Sequence, residues 1–197
     1  INNCKIIGNQ VTPDGSDAGG IYLKEVGNAI IKNTLITDNY AEGAGGGLVC
    51  GNDSTIIINS TITNNITETH PESGLWISNA TTSLINSIVW NDQIWNWPNN
   101  VEIQITYSNI DGGYEGEGNI DADPLFTDPD NGDYTLQSTS PCKDAGDPDL
   151  DDDGSYWLVD SDDRDPDGTR LDMGAYYYHQ DDPPPYPPVN LSATPGN

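Results

Sequence analysis

Positive charge is what this chain has least of: six Lys and Arg stand against 32 Asp and Glu in 197 residues, a formal charge of −26 at pH 7. Phosphate contacts need clustered cations, so nucleic acid is disfavoured as a partner, and so is an anionic membrane surface. No apolar run approaches the roughly 18 residues of a membrane span, so no transmembrane segment is expected. Neither a signal peptide nor an initiator Met opens the chain, and Ile1 stands inside a patterned segment, which reads as a piece of a longer, processed protein. Cysteine is scarce and odd in number. Cys4, Cys50 and Cys142 have no motif around them and read as small buried apolar residues, with one disulfide left open for an exported protein. Also missing is any window with the 3.6-residue amphipathic period of a helix.

What the first half does have is a repeat. Asn3, Asn33, Asn59 and Asn86 fall into register, as do Asn9, Asn39, Asn65 and Asn91. Gly20, Gly47 and Gly74 form a third series, each followed by an apolar residue. The spacing lies in the range of stacked repeat architectures. Inside each repeat, short Ile, Val and Thr runs of alternating polarity, such as Thr61-Ile62-Thr63, are punctuated by Asn and Gly, which marks several short strands joined by turns. Stacked in parallel, such strands bond to the copies above and below at about 4.8 Å, and Asn at equivalent turns can form a ladder. Asn and Gly also tolerate the left-handed backbone that sharp corners need. The expected fold is therefore all-β, a right-handed parallel β-helix (solenoid), over residues 1–119.

The words Ile58-Asn59-Ser60-Thr61-Ile62-Thr63-Asn64-Asn65 and Gly45-Gly46-Gly47-Leu48 resemble the coils of right-handed parallel β-helix proteins of bacterial cell surfaces. That resemblance implies a fold and an extracellular or cell-surface location. It does not imply an activity, because the architecture serves lyases, hydrolases, tailspikes and adhesins alike.

Residues 120–180 are different in kind. Asp123-Pro124-Leu125-Phe126, Asp133-Tyr134-Thr135-Leu136, Ser140-Pro141-Cys142-Lys143-Asp144-Ala145-Gly146 and Asp172-Met173-Gly174-Ala175-Tyr176 resemble, in order, the C-terminal end region of bacterial surface proteins of the choice-of-anchor Q type. Tyr177 stands where such proteins carry an acidic residue. A physical role for this region is to cap the last open coil, whose unpaired edge invites aggregation. Beyond it, the Pro-rich 181–188 reads as a stiff linker. Residues 189–197 resemble the first strand of a fibronectin type III or immunoglobulin-like module.

The acidity is concentrated in this second half: residues 1–100 hold nine acidic and three basic residues, which leaves 23 and three for the rest. Its peak, DPDLDDDGSYWLVD at 147–160, meets a calcium-loop template with ligands at positions 1, 3, 5, 7, 9 and 12 and Gly at 6. Asp149, Asp151, Asp153, Ser155 (through its carbonyl) and Asp160 take positions 1, 3, 5, 7 and 12. Gly154 is at 6, and Trp157 leaves position 9 to water. A second, weaker copy runs Asp163, Asp165, Asp167, Gly168, with Gly174 at position 12 and Asp172 nearby. Ca²⁺ is the expected ion, since the oxygen ligands are many and flexible.

Catalysis has little support. Lys5, Lys24 and Lys32 are the only lysines on the repeats, Asp38, Asp53 and Asp92 are isolated in sequence, and His70 lies in a loop. Trp76, Trp90, Trp95 and Trp97 cluster late in the repeats. They either cover the final apolar interior or form a face on which sugar rings stack. The expectation is a non-catalytic structural or adhesive domain of a larger bacterial surface or secreted protein, stabilised by calcium. Its candidate partners are polysaccharide, other surface proteins or further copies of itself. The alternative is the terminal part of a secreted polysaccharide-active enzyme, a lyase or hydrolase, or its carbohydrate-binding region.

Overall fold

The computed structural model describes residues 1–12, 15–52, 54–68, 73–97 and 102–181. Asp53, His70, residues 182–188 of the expected linker and all of the expected following module lie outside the described residues. The protein is all-β, with a single 3₁₀ turn at Pro129–Asn131 among the described residues. Its strands are β1 (Lys5–Ile7), β2 (Gln10–Val11), β3 (Ile21–Lys24), β4 (Asn28–Lys32), β5 (Leu35–Thr37), β6 (Tyr40–Ala41), β7 (Leu48–Gly51), β8 (Ser54–Ile58) and β9 (Thr61–Thr63). They continue as β10 (Ile66–Thr67), β11 (Ser73–Ser78), β12 (Thr81–Ile85), β13 (Ile88–Trp90), β14 (Gln93–Trp97), β15 (Ile103–Thr106), β16 (Asn109–Ile110), β17 (Phe126–Asp128) and β18 (Asp133–Leu136).

Strands β1 to β16 form four parallel sheets, ordered β1-β5-β9-β13-β16, β10-β6-β2, β14-β11-β7-β3 and β15-β12-β8-β4. The chain visits them in turn, and each strand pairs in register with its counterpart one repeat away: Lys5 with Leu35, Leu35 with Thr61, Thr61 with Ile88 and Ile88 with Asn109. Strand alternation then decides the faces. The row Ile36, Ile62, Val89 and Ile110 points into the core with Leu48, Leu75 and Leu84. Each fully buried Ile or Leu there stabilises the fold by about 1.5–3 kcal/mol. Strands β1 to β16 contain no Asp or Glu, so every described carboxylate of this region lies between strands.

The corners explain the Asn series. Asn3, Asn33, Asn59 and Asn86 all have φ between 46 and 52°, and Tyr107 continues them at 47°. A second left-handed corner is formed by Gly8, Asp38, Asn64 and Asn91. The expected second Asn series therefore needs correction at its last member, since Asn91 is a corner residue and bonds Asn64. The buried ladder runs Asn9, Asn39, Asn65, Asp92. Asn9 N and Nδ2 donate to Asn39 Oδ1, and Asn39 N and Nδ2 donate to Asn65 Oδ1. Asn65 N and Nδ2 donate to the two oxygens of Asp92 at 2.8 and 2.7 Å. The Gly series makes room for that ladder: a Cβ at Gly47 would lie 2.8 Å from Asn65 Nδ2, and one at Gly74 would collide with the Asp92 carboxylate. A further ladder runs through hydroxyls. Thr34 N donates to Ser60 Oγ, Ser60 N to Ser87 Oγ, Ser87 N to Ser108 Oγ and Ser108 N to Asn119 Oδ1.

The C-terminal region meets the repeats in two ways. Residues 116–122 add an irregular rung beside the last strands, with Tyr107 N donating to Glu117 O and Ile110 N to Ile120 O. Residues 123–181 lie instead along the outer face of the β1-β5-β9-β13-β16 sheet. There Leu35 and Ile88 pack with Phe126, Tyr134, Leu136 and Met173, which is why β5 and β9 are buried on both faces. The strap Asp172–Ala175 touches the sheet directly: Gly174 N donates to Asn86 O at 2.7 Å and Ala175 N to Thr61 Oγ1 at 3.0 Å. Gly174 has φ +100°, and a Cβ there would press on Ile88 and Thr61 at 2.8–2.9 Å, so only glycine lets the strap approach this closely. Cys4, Cys50 and Cys142 are free thiols, and burial pushes the Cys50 thiol up to about 12 and that of Cys142 to about 11.

Candidate metal centre

Residues 147–163 contain no strand and are built from carboxylates that bond their own backbone. Asp149 Oδ1 accepts from Asp153 N and Oδ2 from Gly154 N, both at 3.1 Å. Asp151 Oδ1 also accepts from Asp153 N, and Asp153 Oδ1 accepts from Ser155 N at 2.7 Å. Short Asp side chains form such turns readily, and Gly154 supplies the left-handed step at φ +85°. The result is a tight hook whose carboxylates face one another.

Two groups of three carboxylates converge: Asp149, Asp151 and Asp153, and Asp151, Asp160 and Asp163. In each, one oxygen per residue lies within 4.8 Å of the others, which matches about twice the 2.3–2.6 Å of a calcium–oxygen bond. Asp151 belongs to both groups. All donors are hard oxygens, a set that fits Ca²⁺ and offers nothing to a soft metal. Ser155, half-buried, keeps its place in the hook through the bond to Asp153. Burial raises the Asp163 carboxyl, the charges of Asp160, Asp151 and Asp149 raise it further, and the N–H of Leu150 opposes them.

The second DxDxDG copy is divided by the fold. Asp163 turns back to the first loop, while Asp165, Asp167 and Asp172 belong to neither converging group and act as backbone staples. Asp165 Oδ2 accepts from Asp172 N, and Asp167 accepts from Thr169 N and Gln180 N. Asp172 accepts from Asp144 N and Tyr178 N, both at 2.6 Å. Burial, with the Asp172 charge beside it, pushes the Asp165 carboxyl up to about 8, and burial pushes that of Asp172 to about 6.

The tryptophans also separate. Trp76 and Trp95 are register partners on β11 and β14 and stack at 6.1 Å with 7° between their planes. Trp97, 65% exposed, follows two residues along the same outer face. Trp90 lies on β13 in a different sheet, packed against the core under the C-terminal region. Among the residues weighed for catalysis, Asp92 is committed to the buried ladder, and Lys5 lies over the Tyr176 ring at 5.5 Å. Among the described residues no helix is long and apolar enough to cross a membrane. No family model, curated protein or solved structure matches the chain.

Proposed function

We propose that the chain is a non-catalytic structural or adhesive domain of an extracellular bacterial surface or secreted protein, with a choice-of-anchor Q type end region. In this reading its four parallel sheets close a right-handed parallel β-helix, and Ca²⁺ clamps its C-terminal region. The observation that carries the reading is the convergence of five carboxylates of one short, strandless segment into two groups that share Asp151. Carboxylates so close repel one another at neutral pH, and a divalent cation supplies the charge that lets them stay ionised together. This chain's residues would hold the ion and orient its ligands through the Asp-to-backbone bonds of the hook. The ion's contribution is then to stability, because a ligand that binds only the folded state stabilises it by mass action. Thermal melting with calcium and with a chelator tests the reading: a higher midpoint in calcium supports it, and identical curves reject it.

A second reading, binding of an uncharged glycan, is favoured by the aromatic face. Tyr22, Trp76, Trp95 and Trp97 project from the β14-β11-β7-β3 sheet, which carries no carboxylate in a chain of charge −26. Flat, parallel indoles suit the faces of sugar rings. A glycan array with the Trp95→Ala variant beside the parent tests it, and absence of binding by the parent rejects it.

A further inference from the structure

We propose that the calcium ion is seated between Asp151, Asp160 and Asp163, with the buried Asp163 as its anchor, and not within the Asp149–Asp151–Asp153 triad that the DxDxDG spacing points to. This rests on the calcium reading above and names the ligands of that same site.

The distinction comes from what each carboxylate has besides an ion. In the triad, the Asp149 oxygens and one oxygen each of Asp151 and Asp153 already accept backbone N–H bonds. Asp151 and Asp153 are exposed, so water satisfies their remaining lone pairs. That triad holds its shape in water without help. Asp163 is in the opposite position: the residue is 0% exposed, its Oδ1 accepts from Leu150 N at 2.7 Å, and its Oδ2 is buried with no hydrogen-bond partner. A buried carboxylate oxygen with no donor leaves its desolvation uncompensated, and a folded protein keeps such a group only where something pairs with it. The groups that converge on Asp163 are two more carboxylates, Asp151 and Asp160, which repel an anion and attract a cation. Three carboxylate oxygens within 4.8 Å of one another can form one side of a calcium shell, whose other ligands would be waters or backbone carbonyls.

The seat has a consequence for the fold. Asp151 lies within the hook and Asp160 beyond it. Asp163 leads, through the Arg164–Arg170 bridge, to the strap whose Gly174 N–H bonds Asn86 O at the corner before β13. An ion at this point ties the hook to the element that docks the whole C-terminal region, whereas an ion in the triad would brace only the exposed tip.

Calorimetric titration of calcium chloride into the full chain and its variants separates the cases. The parent is expected to bind, Asp160→Asn and Asp163→Asn to bind about tenfold or more weakly, and Asp149→Asn/Asp153→Asn, which removes two charges of the triad but keeps the Oδ1 acceptors that shape the hook, to stay within about threefold of the parent. Asp160 is only half-buried, so its variant reports on the ion even where Asp163→Asn compromises folding, which circular dichroism monitors. If the double variant loses binding while Asp160→Asn and Asp163→Asn retain it, the ion sits in the triad and the inference is overturned. Equal loss in both arms overturns it too, by spreading the ion over all five carboxylates. A parent that binds no calcium overturns the calcium reading itself, an outcome distinct from these.

Discussion

The repeat region and the C-terminal region solve the same problem, satisfying backbone and side-chain polar groups without helices, with opposite chemistry. In the repeats, neutral amides and hydroxyls bond their own counterparts one repeat away, and the strands carry no acid at all. In residues 123–181, carboxylates accept backbone N–H bonds locally, as in Asp149, Asp153, Asp167 and Asp172. The amides and hydroxyls of the ladders neither titrate nor attract ions, and Asp92, at the end of the Asn ladder, is the exception. A carboxylate framework titrates, and where its carboxylates converge it attracts cations. The stability of the repeats should therefore follow packing, and that of the C-terminal region should follow solution conditions.

The largest expected effect breaks the neutral ladder. Asn65→Ala removes the acceptor of Asn39 N and Nδ2, and the donor to Ile36 O and Asp92 Oδ2, all in buried surroundings. Leaving several buried groups unpaired should cost about 4 kcal/mol in denaturant unfolding, to the same extent with calcium and with chelator. A loss that calcium restores would mean that the two regions are not distinct in the way argued. Next comes calcium itself. At a free concentration a hundredfold above the dissociation constant, stabilisation should be about 2.7 kcal/mol. Hydrogen exchange should place it in the amides of Gly174 and Ala175, with Ile62 little changed. Uniform protection across both regions would contradict the division.

Much of the repeat was legible because its rules are local. An Asn at a left-handed corner and a Gly where the ladder passes close leave marks that recur once per repeat, and both appear in the structure. The misassignment of Asn91 has a physical origin: corner and ladder residues are adjacent in every repeat, at 8/9, 38/39, 64/65 and 91/92, so matching Asn to Asn slips by one when Asp takes the ladder place. The serine ladder went unread because Ser60 and Ser87 look like ordinary turn residues until stacked. In the C-terminal region far less was legible. The Asp163 carboxylate sits three residues beyond the end of the twelve-residue template, and only the fold returns it to Asp151. Likewise, the sharing of one sheet face by Leu35, Ile88 and Met173 depends on contacts across more than one element, which no period in the sequence records.

Asp92 tests whether a neutral ladder is what matters, since it is the one carboxylate in it. Burial raises its carboxyl well above the usual range, against the bonds from Asn65. With the folded pKa above the unfolded value of about 3.9, the protonated form is favoured by folding. Its contribution is complete below the unfolded pKa and is lost as pH rises through the folded one. Asp92→Asn completes the ladder, its Nδ2 facing Ile62 O as Asn65 Nδ2 faces Ile36 O. The variant should match the parent near pH 3, exceed it by about 1–2 kcal/mol at pH 8, and lack the parent's decline between. A parallel decline in both proteins would place the titration elsewhere.

The smallest effect lies where the two chemistries meet. Tyr134 belongs to β18, but its hydroxyl accepts from Thr37 Oγ1 and Asn64 Nδ2, both at 3.0 Å, and faces Asp38 Oδ2 at 3.4 Å, all on the repeats. Its ring packs edge-on against Phe126 at 5.3 Å and 82°. Tyr134→Phe keeps that packing and removes only the polar contact, so the loss should be about 1 kcal/mol. Because the lost bonds join the regions, the change should appear in the docking step that calcium is proposed to control: in chelator, the variant should open its C-terminal region at lower denaturant than the parent, with the unfolding of the repeats unmoved. Were the two transitions to shift together, the regions would unfold as one unit, and the hydroxyl would be a core contact instead of a seam.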